Sequence, residues 1–143
     1  MDNRVAKADV TIKAPVEKVW EALVNPAIIK SYMFGTDVQS EWKAGSPIVW
    51  KGEYQGKKYE DHGRILEVVP RHKLRYSHFS PLSGLPDTPE NYHQVTIDLA
   101  GENGSVKVAL KQDQNHSEQA QAESEKNWKA MLAGLKKTVE AAS

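Results

Sequence analysis

The side chains able to do chemistry in this 143-residue chain are five histidines, five tyrosines and four tryptophans, with no cysteine among them. The missing thiol removes disulfides, thiolate nucleophiles and thiolate metal sites together. His72 and His116 fall in expected turns, whereas His62, His78 and His93 fall in expected strands. Those three are far apart in sequence and form neither a His-x-His nor a His-Glu-x-x-His pair. Glu60, Asp61 and Glu90 stand near them, but only the fold could gather these groups, so the expectation is no metal and no cofactor. His78 or His93 could act as a general base if a cavity desolvated it. Ser77, Ser80 and Ser83 flank His78 without the Gly-x-Ser-x-Gly elbow that exposes a nucleophile. The glycines form no phosphate-cradling run. No catalytic residue is therefore assigned.

The aromatic residues say more. Trp50 and Tyr54 share the phase of one strand, Tyr76 and His78 that of another, and His93 keeps step with Val95. If these positions face inward, Trp128 and Met131 of the last helix close the space above them. Trp50, Tyr54, Tyr76, His78, His93, Trp128 and Met131 then form an apolar enclosure with a few polar tips. That is the usual make-up of a small-molecule site. The alternative is an ordinary core in which each Tyr or Trp satisfies one polar atom.

The elements that must position these residues can be read from periodicity. Residues 118–142 hold no Pro and only Gly134, and are rich in Ala, Glu, Gln and Lys, which predicts one long helix. Trp128, Met131, Leu132, Leu135 and Val139 fall on one stripe of it. The apolar positions Ala6, Ala8, Val10 and Ile12 alternate with polar ones, predicting a first strand. After Pro15 the spacing of Val16, Val19, Trp20 and Leu23 becomes helical, and Asn25-Pro26 ends that short helix. A second short helix is expected over 27–34. Six strands follow, separated by turns at Ala44-Gly45, Gln55-Gly56, Pro70 and Asn103-Gly104. In the strand over 58–69 both Ile65 and Leu66 are apolar, so its phase is ambiguous, and a bulge near Gly63 could switch its faces. Residues 80–91 carry three prolines and a glycine, which predicts a long loop at the mouth of the enclosure. Residues 112–117 read as a polar connector. Short turns imply an antiparallel sheet, and a sheet buried on one face pairs naturally with a single long helix. The expected fold class is α+β, in a single domain over residues 1–143.

Composition bounds the partners. Lys plus Arg equals Asp plus Glu at 19 each, so no electrostatic footprint for nucleic acid exists at the level of the whole chain. No window approaches the ~20 apolar residues of a membrane span, and the N-terminal stretch lacks the apolar run of a signal peptide. The reading is a soluble, cytoplasmic protein with no nucleic-acid partner and no membrane span.

Three stretches are familiar. "VTIKAPVEKVWEALVNPAIIKSYM" (10–33) resembles the opening of the helix-grip superfamily of START-like lipid-transfer domains and polyketide cyclases. "GRILEVVPRHKLRYSH" (63–78) and "NWKAMLAGLKKTVE" (127–140) sharpen this. Together they resemble proteins homologous to the C-terminal domain of the activator of the ninety-kilodalton heat-shock protein ATPase. One departure is that Asn127, where the family commonly has Gly, precedes Trp128. The resemblance implies a curved sheet of about seven strands wrapped round the C-terminal helix, with a cavity between them. It also implies three classes of function. A binding module for an apolar, aromatic or lipid-like small molecule asks least of the residues and leads. A co-chaperone-type or stress-related interaction domain, with a chaperone as partner, is the second. A cavity-based enzyme such as a cyclase or hydrolase is the third, and it lacks a nucleophile or cofactor fingerprint.

Overall fold

A computed structural model describes residues 4–33, 35–54, 56–81, 84–115 and 117–142, leaving aside the side chains of Tyr54 and Ala142. Ser83 and His116 therefore lie outside the described residues. Strand β1 (Arg4–Ile12) leads into helices α1 (Val16–Val24) and α2 (Pro26–Tyr32). Strands β2 (Asp37–Ser40), β3 (Pro47–Tyr54), β4 (Lys57–Val69), β5 (Lys73–His78), β6 (His93–Glu102) and β7 (Ser105–Asn115) follow, and α3 (Glu118–Ala142) ends the chain. The seven strands form one antiparallel sheet in the order β1-β7-β6-β5-β4-β3-β2. With α3 packed along it, this is the expected helix-grip α+β fold.

Local chemistry explains the boundaries. The Asn25 side chain accepts from Ala27 N at 3.0 Å and so caps α2, with Pro26 at the position where a helix needs no N–H. Asn103 and Gly104 both adopt positive φ, 51° and 82°, which closes the β6–β7 hairpin in register with Glu102 opposite Ser105. Two expectations change. The stretch 112–117 is not a connector throughout, because β7 continues to Asn115: Gln112 pairs with both Ala6 and Val95, and past a register shift Asn115 pairs with Arg4 of β1. The irregularity in β4 falls between Ile65 and Glu67, at Leu66, rather than at Gly63. It resolves the phase: Ile65 is fully buried toward the helix, and Leu66 takes the other face.

One face of the sheet meets α3 through Met131, Leu132, Leu135 and Val139, all buried in the core with Ile12, Leu74, Val95, Ile97, Val106 and Leu110. Large apolar side chains buried this fully are worth ~1.5–3 kcal/mol each. The helix also follows the outer edge of β1. Gln121 Nε2 and Lys136 Nζ donate to Val5 O and Thr11 O, while Glu125 and Glu140 accept from Lys7 N and Lys13 N. An open strand edge is a template for pairing with another chain. Here side chains of α3 satisfy it instead.

Candidate functional site

The expected enclosure lies between β3, β5 and α3, and the structure brings part of the expected set together there. Trp50 is buried beside Tyr76, with ring centroids 5.2 Å apart, and meets His78 edge-on at 4.9 Å. Trp50, Tyr76 and Met131 wall a cavity with Ile29, Met33 and Trp42. Its volume is only about 30 Å³. One or two water molecules need about that much. The backbone at Trp42 sits at φ 57°, the left-handed region, so this wall is held in a conformation a tryptophan seldom takes.

His78, His93 and Trp128 do not wall this cavity. They lie further along, where the apolar face gives way to polar groups. His78 faces His93 across the β5–β6 ladder, and its Nε2 lies 2.9 Å from Asp61 Oδ2. His93 Nδ1 meets Asp113 O at 2.9 Å, and the Trp128 indole N–H donates to Gln112 Oε1. Tyr54 occupies the end of β3, opposite Lys57; its side chain is outside the described residues. Sequence reasoning undervalued Asp61 and Gln112. The signal for Asp61 was available, since it is paired with Trp50 across β3–β4 and so shares its face.

Two hydroxyls define the electrostatics of the cavity. Tyr32 donates to Ala22 O at 2.8 Å, and burial pushes its phenol well above the ordinary range, with Tyr76 adding to the effect. Burial alone does the same to Tyr76. The site can therefore offer a neutral phenol as donor or acceptor. Nearby, the His78–Asp61 pair can hold and orient a proton, and Asp61 Oδ1 is buried without a partner among the described residues. No group of three His, Asp or Glu side chains is placed to hold a metal ion among the described residues.

The proline-rich loop takes a different place from the one expected. It folds against the face of the sheet turned away from α3. Tyr92 OH donates to Asp87 Oδ1 at 2.6 Å, and His62 Nε2 lies 3.0 Å from both Asp87 Oδ2 and Tyr92 OH. Tyr92 stacks on Phe79 at 5.2 Å, and Phe79, buried, bridges to His62 through two backbone hydrogen bonds. His62 is next to Asp61 and therefore points to the opposite face. The alternation that sends Asp61 inward sends His62 outward, and the loop follows His62.

Among solved structures, this chain is similar to ChR145 from Cytophaga hutchinsonii, a solution structure, with 58% identity and a TM-score of 0.86 over 99% of this chain and 98% of that one. It shares its fold with the Aha1 dimer from Colwellia psychrerythraea at 18% identity and a TM-score of 0.73, over 96% of each chain. It shares it also with CalU16 from Micromonospora echinospora at 20% identity and 0.69, over 94% of this chain and 81% of that one. No curated protein matches the sequence significantly. The family model for "Activator of Hsp90 ATPase homolog 1-like protein" matches residues 13–140. With nearly the whole chain matched and the sheet gripping α3 as described, the protein belongs to the family of activator of Hsp90 ATPase homolog 1-like proteins.

Proposed function

We propose that this protein binds a small apolar or aromatic molecule between the sheet and α3. The observation that carries the reading is Tyr76: a phenol in the wall of the cavity, kept neutral by burial. Apolar surroundings with one or two polar tips suit a ligand that brings both an apolar body and one polar atom. Trp50 and Met131 would pack on the body, and His78, His93 and Trp128 would meet whatever extends toward the polar end. Tyr54 belongs to the proposed set by strand phase. The present volume limits the ligand to a few atoms unless a wall moves. Met33 and Met131 are the walls that yield at least cost, since an unbranched thioether side chain repacks easily.

The test begins with native mass spectrometry of protein purified from its own host, to find a retained compound. Binding of that compound should change Trp50 fluorescence. Tyr76→Phe should weaken it several-fold while the fold stays intact, because the ring still packs. Equal binding by wild type and Tyr76→Phe, with unchanged tryptophan emission, would place the ligand elsewhere.

The small volume also favours a second reading, a protein-interaction domain of co-chaperone type in keeping with the family's description. A pull-down with the ninety-kilodalton chaperone decides it. Retention of the chaperone by protein that holds no small molecule would put this reading first.

A further inference from the structure

The face of the sheet turned away from α3 carries a groove of about 640 Å³. Pockets that hold small ligands run from ~300 to ~1,000 Å³, so this groove has the size that the inner cavity lacks. Val49 and Leu66 give it an apolar floor, and Pro89 and Tyr92 give it a wall from the folded-back loop. Arg64 on β4 and Gln94 on β6, with β5 between them, supply polar groups. The Arg64 side chain is exposed and donates from one nitrogen, Nη1, to Gly45 O at 2.7 Å. It has no carboxylate partner among the described residues. Asp87, the nearby carboxylate, has both oxygens engaged, one by Tyr92 OH and the other by His62 Nε2.

The loop is held in place as a wall rather than draped over solvent. Three rings, His62, Phe79 and Tyr92, pack together at 5.2 to 6.0 Å, and the Asp87 contacts close the arrangement. Asn91 adds bonds within the loop, to Pro86 O and Thr88 Oγ1. The groove thus has a wall held by ring packing and hydrogen bonds, an apolar floor, and one guanidinium with donors to spare.

We propose that this outer groove is a second small-molecule site, taking a flat amphipathic anion: an aromatic carboxylate whose ring lies on Val49, Leu66 and Pro89 and whose carboxylate meets Arg64. A guanidinium matches a carboxylate with two parallel N–H donors, which an ammonium cannot do. Gln94 adds a side-chain amide to the same wall. The proposal is independent of any ligand between the sheet and α3.

The experiment uses the full chain, isotope-labelled, titrated with 2-naphthoate and, separately, with the neutral 2-naphthamide. Amide shifts on adding 2-naphthoate are expected at Arg64, Leu66, Ser77 and Gln94, with little change at Trp50, Tyr76 or Met131. The amide analogue should bind at least about tenfold more weakly. Arg64→Gln should lose about tenfold in 2-naphthoate affinity, and Arg64→Lys should recover only part of it, while Tyr76→Phe should bind as wild type does. The spectrum itself reports whether each variant is folded, and Gln94→Ala gives a second route should Arg64→Gln unfold, with an expected loss of a few-fold. Shifts confined to the inner residues, equal affinity for acid and amide, or Arg64→Gln or Gln94→Ala binding as wild type would overturn the assignment. So would the absence of saturation at millimolar probe.

Discussion

Replacing Gly63 by Ala places a methyl carbon 1.8 Å from Ser77 O and 2.6 Å from Ser77 C, atoms of the neighbouring strand's backbone. Real Cβ atoms essentially never come within 3.0 Å of such an atom, and backbone cannot swing aside as a side-chain tip can. Strands β4 and β5 must therefore part at the point where they position both faces. Three hydrogen bonds lie in the path: His62 N to Phe79 O at 3.0 Å, Phe79 N to His62 O at 2.8 Å, and Arg64 N to Ser77 Oγ at 3.0 Å. Forcing extra volume into a packed site costs ~1–3 kcal/mol, and each hydrogen bond lost adds ~0.5–1.5 kcal/mol. With all three lost, these give about 2.5–7.5 kcal/mol. With a urea dependence of ~1–3 kcal/mol per molar for a domain of this class, the midpoint should fall by about 1 M or more. Gly101→Ala is the control, since its added carbon would meet Val16 Cβ at 3.5 Å and Cγ2 at 3.9 Å, ordinary contacts. A Gly63→Ala midpoint within ~0.5 M of wild type, a shift that surface substitutions produce, would refute the close approach on which both faces depend.

Other perturbations read other parts of the structure. Leu135 is fully buried under α3, so Leu135→Ala should cost ~2–5 kcal/mol in urea unfolding; an unchanged midpoint would mean that the helix is not docked. The hydrogen bond from Tyr92 holds Asp87 below the ordinary carboxylate range, with His62 contributing, while burial and Asp87 push the Tyr92 phenol up to about 12. The contribution of Asp87 is therefore present above its unfolded pKa and fades as pH falls through the lowered one, and that of Tyr92 is present below about 10 and fades as pH rises through about 12. The protection of the Asn91 amide, bonded to Thr88 O, should fall at both extremes relative to its intrinsic exchange rate, and protection constant with pH would disprove the clamp. Removing both Glu125 and Glu140, as alanines, frees Lys7 N and Lys13 N on the edge of β1; sedimentation should then show self-association absent from wild type, and identical profiles would show that the edge needs no cover.

The fold was legible because its elements announce themselves by period and punctuation. The α3 stripe of Met131, Leu132, Leu135 and Val139, the change of period at Pro15, and Asn103-Gly104 each rest on local chemistry that tertiary packing had no reason to override. The polar residues 112–115 look like a loop, yet pairing with β1 at Gln112 and, past a register shift, at Asn115 carries β7 through them. The bulge was misplaced by two or three residues because glycine is the usual sequence mark of one. Gly63 answers to a different constraint, the close passage of Ser77.

The site was legible in one respect and hidden in another. Strand phase names the face a side chain occupies, and Tyr76 and His78, of one phase on β5, both lie in ring contact with Trp50. Phase does not fix how much space remains between faces. That depends on α2 and the chain after it, whose Ile29, Met33 and Trp42 fill most of the gap beneath Met131. It also does not tell a loop which face to follow. The loop went outward because Phe79 is buried on that side, beside His62, and offers Tyr92 a ring to stack on. A mouth at the inner cavity would have left Phe79 bare. The same parity that makes the inner face aromatic makes the outer one present His62, Arg64 and Gln94. The more spacious of the two pockets therefore belongs to residues that a search for an enclosed core passes over.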